Sequence, residues 1–406
     1  MEPKIRLKNY NEEWKTTLID KLGITYSGLS GKTKEDFGKG DALYITFLNV
    51  LNNAKIDTSI LEAVNIYKGE RQNEVKRGDL LFNTSSETPG EVGMCAAMDD
   101  DLTHVYLNSF CFGFRVTDEN IDSLFMAYLM RSPVGRRLMS FLAQGATRYN
   151  LSKNNFCKAE LLFPVTKDEQ TAIASLFQHL DSLIQSTQKK IDSLKQVMTA
   201  SLQCMFPQDG ETTPRIRFKG HEGEWEKKLF YELYEPSSIK NKAYGEDKII
   251  SVANMYFKPV SYISDEEYLK SYNVMCLGDI AFEGNKSKNF AHGRFVENTI
   301  GDGIVSHVFV VLRPISEKYD LQFWKYLINY ERIMGPILTR STKHSTMMTD
   351  LVVADFLKEA ILVPSYEEQQ KIGAFLENLD SQITLHTQRL EKLKQIKSAC
   401  LDNMFV

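Results

Sequence analysis

The chain has 406 residues, more than one ordinary hydrophobic core accommodates, so its length favours two or three domains. Its 43% apolar and 11% aromatic content excludes a disordered chain, and no apolar run reaches the eighteen or so residues of a membrane-spanning helix. The net charge of −4 is not that of a nucleic-acid-binding protein, unless positive charge is concentrated locally.

The cysteines and the first residues indicate the compartment. Six cysteines are scattered without a C-x-x-C pair, and the polar start MEPKIRLKNYNEEW lacks the apolar core of a secretory signal. This pattern favours free thiols over a disulfide or metal framework, and we expect a cytoplasmic location.

Taken in chain order, the predicted elements of the first half recur in the second half. A glycine–aspartate turn leads into a short apolar strand, an alternating strand follows, and a proline precedes a long amphipathic segment that begins with a Glu-Gln pair. The matched segments are 3–18 with 214–229, 77–83 with 277–283, 109–116 with 306–314, 125–130 with 323–328, and 160–170 with 360–369.

This duplication predicts the domain organisation. The segment PQDGETTP between the two copies has prolines and a glycine but no apolar periodicity, which is typical of a linker. We predict an α+β fold with two mixed α/β domains, each followed by a long helix. The predicted ranges are 1–165 for the first domain, 166–206 for the first helix, 207–213 for the linker, 214–364 for the second domain and 365–406 for the second helix.

The two long segments carry a heptad seam. Apolar residues recur at spacings of four and three, which predicts helices of about 37 residues and about 55 Å that pair with each other as an antiparallel intramolecular coiled coil. Thr187 and His386 interrupt the seam and are interpreted as register-setting polar residues. The alternative is that each helix packs only on its own domain. The predicted seam residues are Phe177, Leu180, Ile184, Ile191, Leu194, Leu376, Leu379, Ile383, Leu390 and Leu393.

Positive charge is concentrated in polar, glycine-containing segments at matching places of the two copies. From Arg131 to Lys158 there are six basic residues and no acidic one, and 332–349 is also free of acids. Arginine, lysine, asparagine and serine on such loops are suited to phosphate and base-edge contacts. The predicted DNA-binding residues are Lys32, Lys34, Asn83, Ser85, Arg148, Asn150, Lys153, Asn285, Lys286, Lys288, Arg294, Arg340, Lys343 and His344.

The sequence offers no catalytic constellation. SGKT at 30–33 lacks the earlier glycine of a phosphate-binding loop, because Tyr26 stands there. No HExxH, G-x-S-x-G, Pro-Pro or zinc-type cysteine spacing occurs. We therefore predict neither a metal site nor a catalytic residue in this chain.

The whole chain resembles the specificity subunits of type I restriction-modification systems. The resemblance rests on the helix openings with Glu169-Gln170 and Glu368-Gln369, on Leu-Asp-Ser in both helices, and on the closing Met-Phe pairs. The GDLLF and GDIAF segments are similar to that family's target-recognition domains.

The resemblance implies a non-catalytic subunit that reads a bipartite double-stranded DNA site, with one half-site per globular domain. The coiled coil would set the gap between the half-sites. Two modification subunits would bring S-adenosylmethionine and methylate adenine, and restriction subunits would use ATP and Mg²⁺, so this chain would bind no cofactor itself. Because the two domains differ in their loops, the half-sites should differ, and no individual base-reading residue is carried over from the family.

Two other classes of function stay open. A self-sufficient duplicated DNA-binding regulator would bind its site tightly without a partner. A coiled-coil scaffold would not touch DNA, so charge reversal at Arg148 and Arg340 would leave the affinity of the assembled complex unchanged.

Overall fold

The computed structural model describes residues 2–259, 266–344 and 348–406. The chain divides into two compact units, one formed by Met1–Gln188 with Gln388–Val406 and the other by Lys189–Thr387. Each unit therefore contains one globular domain, the first half of the helix that follows it, and the second half of the other long helix.

The first domain is a mixture of short strands and helices that leads into a 39-residue helix. Its strands are β1 Lys15–Leu18, β2 Gly23–Ser27, β3 Phe37–Ile45, β4 Glu62–Val64, β5 Asp79–Asn83, β6 Ser85–Ser86, β7 Cys95–Ala97, β8 Val105–Leu107, β9 Cys111–Val116, β10 Ala143–Gln144, β11 Tyr149–Leu151 and β12 Glu160–Phe163. Its helices are α1 Phe47–Asn52, α2 Ser123–Arg131, α3 Pro133–Leu142, α4 Lys153–Cys157 and the long α5 Lys167–Met205.

A four-stranded antiparallel sheet in the order β2-β9-β5-β7 forms the centre of this domain. Strand β5 is buried along its whole length. Because side chains alternate across a sheet, Leu80 and Phe82 enter the core formed with α2 and α5, and Leu81 enters a second core on the opposite face. The sheet is thus covered on both faces.

The second domain repeats this plan. Its strands are β13 Glu226–Leu229, β14 Tyr234–Ser237, β15 Ile250–Ser251, β16 Tyr256–Phe257, β17 Asn273–Met275, β18 Ile280–Glu283, β19 Arg294–Glu297, β20 Gly303–Val305, β21 Val311–Pro314, β22 Thr342–His344, β23 Thr349–Leu351 and β24 Ala360–Val363. Its helices are α6 Phe230–Leu233, α7 Glu266–Leu269, α8 Leu321–Leu327, α9 Glu331–Ser341, α10 Val353–Phe356 and the long α11 Tyr366–Asn403.

The sheet order β14-β21-β18-β19 matches the order of the first domain strand for strand. Ile280 and Phe282 face the core formed with α8, and Ala281 faces a second core. The predicted duplication of a mixed α/β domain is therefore confirmed.

The repeated glycine–aspartate turn has a structural role in both copies. Asp79 accepts the Lys76 backbone N–H at 2.9 Å and two hydrogen bonds from Arg115 on the neighbouring strand, at 3.0 and 2.8 Å. Asp279 does the same with the Cys276 N–H and with Arg313. The buried carboxylate is satisfied by a charge partner, which is why an acid is tolerated at the start of an apolar strand.

The Glu-Gln pair that opens each long helix fastens the helix to its own domain. Glu169 is buried and receives two hydrogen bonds from Arg6, at 2.7 and 2.8 Å, and Glu368 receives the matching pair from Arg217, at 2.8 and 2.7 Å. Bidentate arginine–carboxylate pairs of this kind are geometrically specific.

The glutamine of each pair holds the start of a shorter helix. Gln170 accepts the Asp122 backbone N–H at 2.9 Å and donates to the Pro164 carbonyl at 2.9 Å. Gln369 donates likewise to the Pro364 carbonyl at 3.2 Å. Since Asp122 itself caps the N-terminus of α2, the repeated motif ties the strand end, the long helix and α2 together.

In the first unit the beginning of α5 and the end of α11 run antiparallel. Phe177 stacks on Phe405 at 5.6 Å, and Asp181, one turn later, bonds Lys397, which lies earlier in α11. Phe405 also contacts Phe125 of α2 at 5.7 Å, so the closing Met-Phe pair of α11 enters the core of the first domain.

The second unit contains the corresponding arrangement. Phe206, which closes α5, lies 5.8 Å from Phe323 of α8 and 6.1 Å from Trp225. Phe206 and Met205 share a core with Ile372 and Leu376 of α11. Each long helix therefore starts on its own domain and ends in the core of the other unit, so the alternative in which a helix packs only on its own domain is wrong.

All ten predicted seam residues are buried or half-buried, and Thr187 is also buried. The helices have 39 and 38 residues, which agrees with the predicted length of about 37. In the described part of the chain, no helix has the length and hydropathy needed to cross a membrane.

Candidate nucleic-acid interface

A short hairpin brings together two polar segments of the first domain. Strands β10 and β11 pair antiparallel, and β11 also pairs with β6, with Asn150 opposite Ser85. The segments 83–88 and 145–155, predicted separately from the sequence, therefore lie side by side. We call residues 143–151 the first hairpin.

The tip of the first hairpin requires glycine. Gly145 has φ of +131°, and a Cβ built on it would lie 2.1 Å from the Arg148 carbonyl oxygen. A residue with a side chain would have to open this turn. The tight turn directs the chain so that Arg148 and the three residues before it are exposed.

The second domain has a matching hairpin, residues 342–351, which we call the second hairpin. Strands β22 and β23 pair, and the Thr349 N–H donates to the Gly284 carbonyl at 2.8 Å. The Thr349 hydroxyl also donates to the His292 carbonyl at 3.0 Å. The two polar segments 284–294 and 339–349 therefore meet here, as their counterparts do in the first domain.

Of the residues predicted to contact DNA in the first domain, three present an exposed side chain. Arg148 and Asn150 are exposed on the first hairpin, and Lys34 is exposed at the start of the short 3-10 helix Lys34–Asp36. Lys153 is half-buried and donates from Nζ to the Ser27 hydroxyl at 2.7 Å. This bond links segment 145–155 to the end of strand β2.

The remaining predicted residues of the first domain are used internally. Asn83 is fully buried, donates to the Glu91 carbonyl at 2.9 Å and accepts the Met94 N–H at 2.6 Å. Ser85 is buried, and Lys32 is covered and paired with Glu70 at 2.5 Å. Asn83 and Lys32 support the loops from inside, because their side chains already bond groups of the domain itself.

In the second domain, Asn285, Lys286, Lys288 and Lys343 are exposed around the second hairpin. Asn285 forms a bridge with Met348, so it lies beside strand β23. The side chain of His344 and residues 345–347 lie outside the described residues.

Two further predicted residues of the second domain already have a carboxylate partner. Arg294 bonds Glu283 at 2.8 Å and the Ala253 carbonyl at 2.6 Å. Arg340 forms a forked pair with Glu359, and this pairing raises the pKa of the guanidinium. Both would have to exchange these partners to bind a phosphate.

The basic run from Arg131 to Lys158 is less exposed than its composition indicates. Arg131 donates to four backbone carbonyl groups at 2.6–3.0 Å, and Arg136 donates to the Val92 and Gly93 carbonyls. Burial lowers the pKa of Arg136 to about 10. Interpreting these two arginines as part of a charged surface is wrong, because both are structural and act inside the domain.

Sequence reasoning missed an apolar groove beside the long helices of the second unit, whose lining side chains have apolar counterparts in the first unit. In the second unit Val197, Ile216, Phe218 and Phe375 line a groove of about 350 Å³. The equivalent positions of the first unit hold Ile396, Ile5, Leu7 and Leu176. Ile5 and Ile216 are 50% and 59% exposed. The apolar residues of the two copies stand at equivalent positions of the duplication, and this repetition was the signal that could have identified them.

The backbone of this groove also repeats. The Ile5 N–H donates to the Asn403 carbonyl at 2.9 Å, and the Ile216 N–H donates to the Cys204 carbonyl at 2.9 Å. Each bond joins the segment that precedes a domain to the end of a long helix. No group of three or more metal-ligating side chains was found among the residues that the structure describes.

Comparison with known proteins identifies the family. The family model described as the type I restriction modification DNA specificity domain matches residues 11–196 and 226–395. The chain belongs to this family. It carries two of these specificity domains, and the duplicated fold described above coincides with them.

Relatives in the specificity family align over nearly the full length. The type I restriction enzyme specificity subunit MjaX of Methanocaldococcus jannaschii is 24% identical over 98% of this chain and 94% of its own. The StySPI specificity subunit of Salmonella potsdam is 22% identical over 95% and 87%. The crystal structure of the S subunit from M. genitalium superposes with a TM-score of 0.63 at 16% identity, covering 100% of this chain and 99% of its own, so the fold is shared.

Proposed function

We propose that this chain reads a bipartite, asymmetric double-stranded DNA site and that each domain reads one half-site through its hairpin. The observation that carries the proposal is that polar, basic segments far apart in sequence converge on a hairpin at the same place in both domains. Arg148 and Asn150 on one domain, and Lys286, Lys288 and Lys343 on the other, have the chemistry of phosphate and base-edge contacts.

The proposed half-sites differ because the two surfaces differ. The first hairpin has an arginine in its turn and an asparagine on strand β11, whereas the second has one exposed lysine on strand β22 and two more in the adjoining segment 284–294. Lysine is a compact point charge suited to phosphate, whereas arginine can form two parallel hydrogen bonds to guanine. The second domain should therefore contribute more of the salt-dependent affinity.

The repeated apolar side chains beside the long helices support docking of two copies of one partner, which we propose to be modification subunits. Exposed apolar side chains that recur at equivalent positions of both units fit a partner that binds twice through the same surface. Under this proposal the chain is non-catalytic. S-adenosylmethionine, ATP and Mg²⁺ act in the modification and restriction subunits.

The test is DNA binding by the chain assembled with its modification subunits. Arg148→Glu and Lys343→Glu should each lower affinity more than tenfold, because each places a negative charge against phosphate. Arg137→Glu and Lys358→Glu reverse exposed charges outside the hairpins and serve as matched controls, with changes within about twofold.

Equal losses in the hairpin and control variants would overturn the hairpin assignment. Tight, sequence-specific binding by the isolated chain would favour a self-sufficient DNA-binding regulator. Unchanged affinity in both hairpin variants would favour a scaffold that does not touch DNA.

A further inference from the structure

Exposed large apolar side chains recur at equivalent positions in two regions of each unit. One region lies beside the long helices, where Ile5 and Ile216 are exposed. The other is the turn that precedes β9 in the first domain and β21 in the second, where Phe110 is 58% exposed and Val308 is 69% exposed. These two residues contribute little to either core, so burial within the domain does not account for them.

The two turns have the same backbone construction. The Cys111 N–H donates to the Asn108 carbonyl at 3.0 Å, and the Phe309 N–H donates to the Ser306 carbonyl at 3.0 Å. Phe110 and Val308 therefore occupy the same third position of a four-residue turn. In the first domain the Asn108 side chain also accepts the Phe110 N–H at 2.8 Å, which further restrains the turn.

The turn lies next to the hairpin. In the first domain the Thr84 N–H donates to the Phe110 carbonyl at 2.9 Å, and the Thr84 carbonyl accepts the Leu151 N–H at 2.8 Å. Thr84 thus joins the turn to strand β11 of the first hairpin. Phe110 is two hydrogen bonds away from the strand that carries Asn150.

In the second domain the turn and the hairpin are connected through the end of β18, by way of Val310, which directly follows the turn. The Phe282 N–H donates to the Val310 carbonyl at 2.9 Å, and two residues later the Gly284 carbonyl accepts the Thr349 N–H of the second hairpin. The turn with Val308 and the second hairpin are therefore held by the same end of one strand.

The chemistry of this position indicates its ligand. In the major groove, thymine differs from the other bases by an apolar C5-methyl group, which side chains such as phenylalanine contact directly. We propose that Phe110 and Val308 are specificity residues that contact thymine C5-methyl groups, one in each half-site. This inference rests on the proposed function, because it assigns a base contact to the surface that the hairpins form.

The experiment uses the chain assembled with its modification subunits and a duplex that carries its own bipartite site, identified from methylated adenines of the host genome. Each half-site thymine is replaced in turn by deoxyuridine, which removes only the methyl group. For the wild-type complex, one replacement in each half-site should lower affinity about fourfold, which is the loss expected when one apolar carbon group is no longer buried.

In the Phe110→Ala complex the deoxyuridine effect should disappear in one half-site and persist in the other, and Val308→Ala should show the reverse. Ile24→Ala and Ile315→Ala are the matched controls. Ile24 and Ile315 are 62% and 51% exposed. Ile24 lies on β2 and Ile315 directly follows β21, both at the ends of the sheets away from the turns, so both effects should persist.

The outcomes distinguish failure of the proposed function from failure of the methyl contact alone. A wild-type complex that does not distinguish its site from a scrambled duplex overturns the proposed function itself. A wild-type complex that binds its site but ignores every deoxyuridine, or a Phe110→Ala complex that keeps both effects, overturns only the methyl contact. Loss of modification subunits from the Phe110→Ala complex on co-purification assigns the residue to a protein partner and likewise overturns it.

Discussion

Glu297 is a buried carboxyl group that forms no ion pair within the described ranges of the chain, and its replacement by glutamine should stabilise the second domain. Glu297 is 2% exposed and accepts a hydrogen bond from the Tyr319 hydroxyl at 2.6 Å, while its Oε2 has no hydrogen-bond partner in the described structure. Tyr319 in turn bonds the Tyr234 hydroxyl at 2.9 Å. Burial raises the pKa of Glu297 to about 9.

The raised pKa sets the sign and the size of the effect. A carboxyl group whose pKa is higher in the folded than in the unfolded chain contributes fully to the free energy of unfolding below about pH 4.5. That contribution is lost as pH rises toward 9. At pH 7 the unfolded chain has released this proton and the folded chain has kept it. Over about 2.5 pH units this costs about 3 kcal/mol of unfolding free energy.

Glu297→Gln removes the ionisation and keeps an oxygen that can accept from Tyr319. The amide buries an additional N–H donor, which offsets part of the gain at about 1 kcal/mol. We therefore expect the variant to be about 2 kcal/mol more stable at pH 7, with a gain that shrinks toward pH 5.

The assay is urea unfolding of the full chain between pH 5 and pH 8, followed by tryptophan fluorescence. Trp324 stacks on Tyr319 at 5.4 Å, so its emission reports on this site. Glu368→Gln is the matched control, since it neutralises another buried glutamate that is paired with Arg217. It should lower the unfolding free energy by about 3 kcal/mol, because it leaves the guanidinium unpaired.

A Glu297→Gln variant that is less stable than the wild type at pH 7 and pH 8 would contradict this prediction. Between pH 5 and pH 8 the unfolding free energy of the wild type should fall more than that of the variant, and an equal or smaller fall would also contradict it.

Three further predictions concern the hairpin and the long helices. Gly145→Ala should lower DNA affinity of the assembled complex more than tenfold while circular dichroism stays unchanged, since a Cβ meets the Arg148 carbonyl; wild-type affinity would contradict the assigned turn. Phe405→Ala should lower the unfolding free energy by about 4 kcal/mol, whereas Leu385→Ala, at a 64% exposed position, should change it by less than about 0.5 kcal/mol. Inserting one heptad in each long helix lengthens the helix by about 10 Å and should lengthen the gap between half-sites by about three base pairs without changing either half-site. An unchanged gap in the methylated site would contradict the hypothesis that the coiled coil sets this gap.

The duplicated plan and the long helices could be predicted from the sequence because their signals are periodic. A heptad seam and a repeated Glu-Gln opening depend on spacing, and spacing survives when individual residues change. The same repetition explains why Arg6 and Arg217 match, although their bond to the helix glutamates becomes visible only in the structure.

The candidate interface could be predicted only as segments. Asn83, Arg131 and Arg148 have equally polar side chains in similar contexts, yet the first two satisfy buried backbone groups and the third is exposed. Composition does not distinguish these roles, because exposure depends on contacts between distant strands. Glu297 gave no signal at all, since its neighbours Phe295 and Val296 read as an ordinary strand and the equivalent residue of the first domain is Ala97.

Sequencing the methylated adenines of a host that carries this chain with its modification subunits would show whether each domain reads its own half-site. We predict two unlike half-sites separated by a gap of fixed length, and we expect Asn150→Ala to relax the bases of one half-site only. A continuous or palindromic motif, or an Asn150→Ala variant that alters both half-sites, would contradict this prediction.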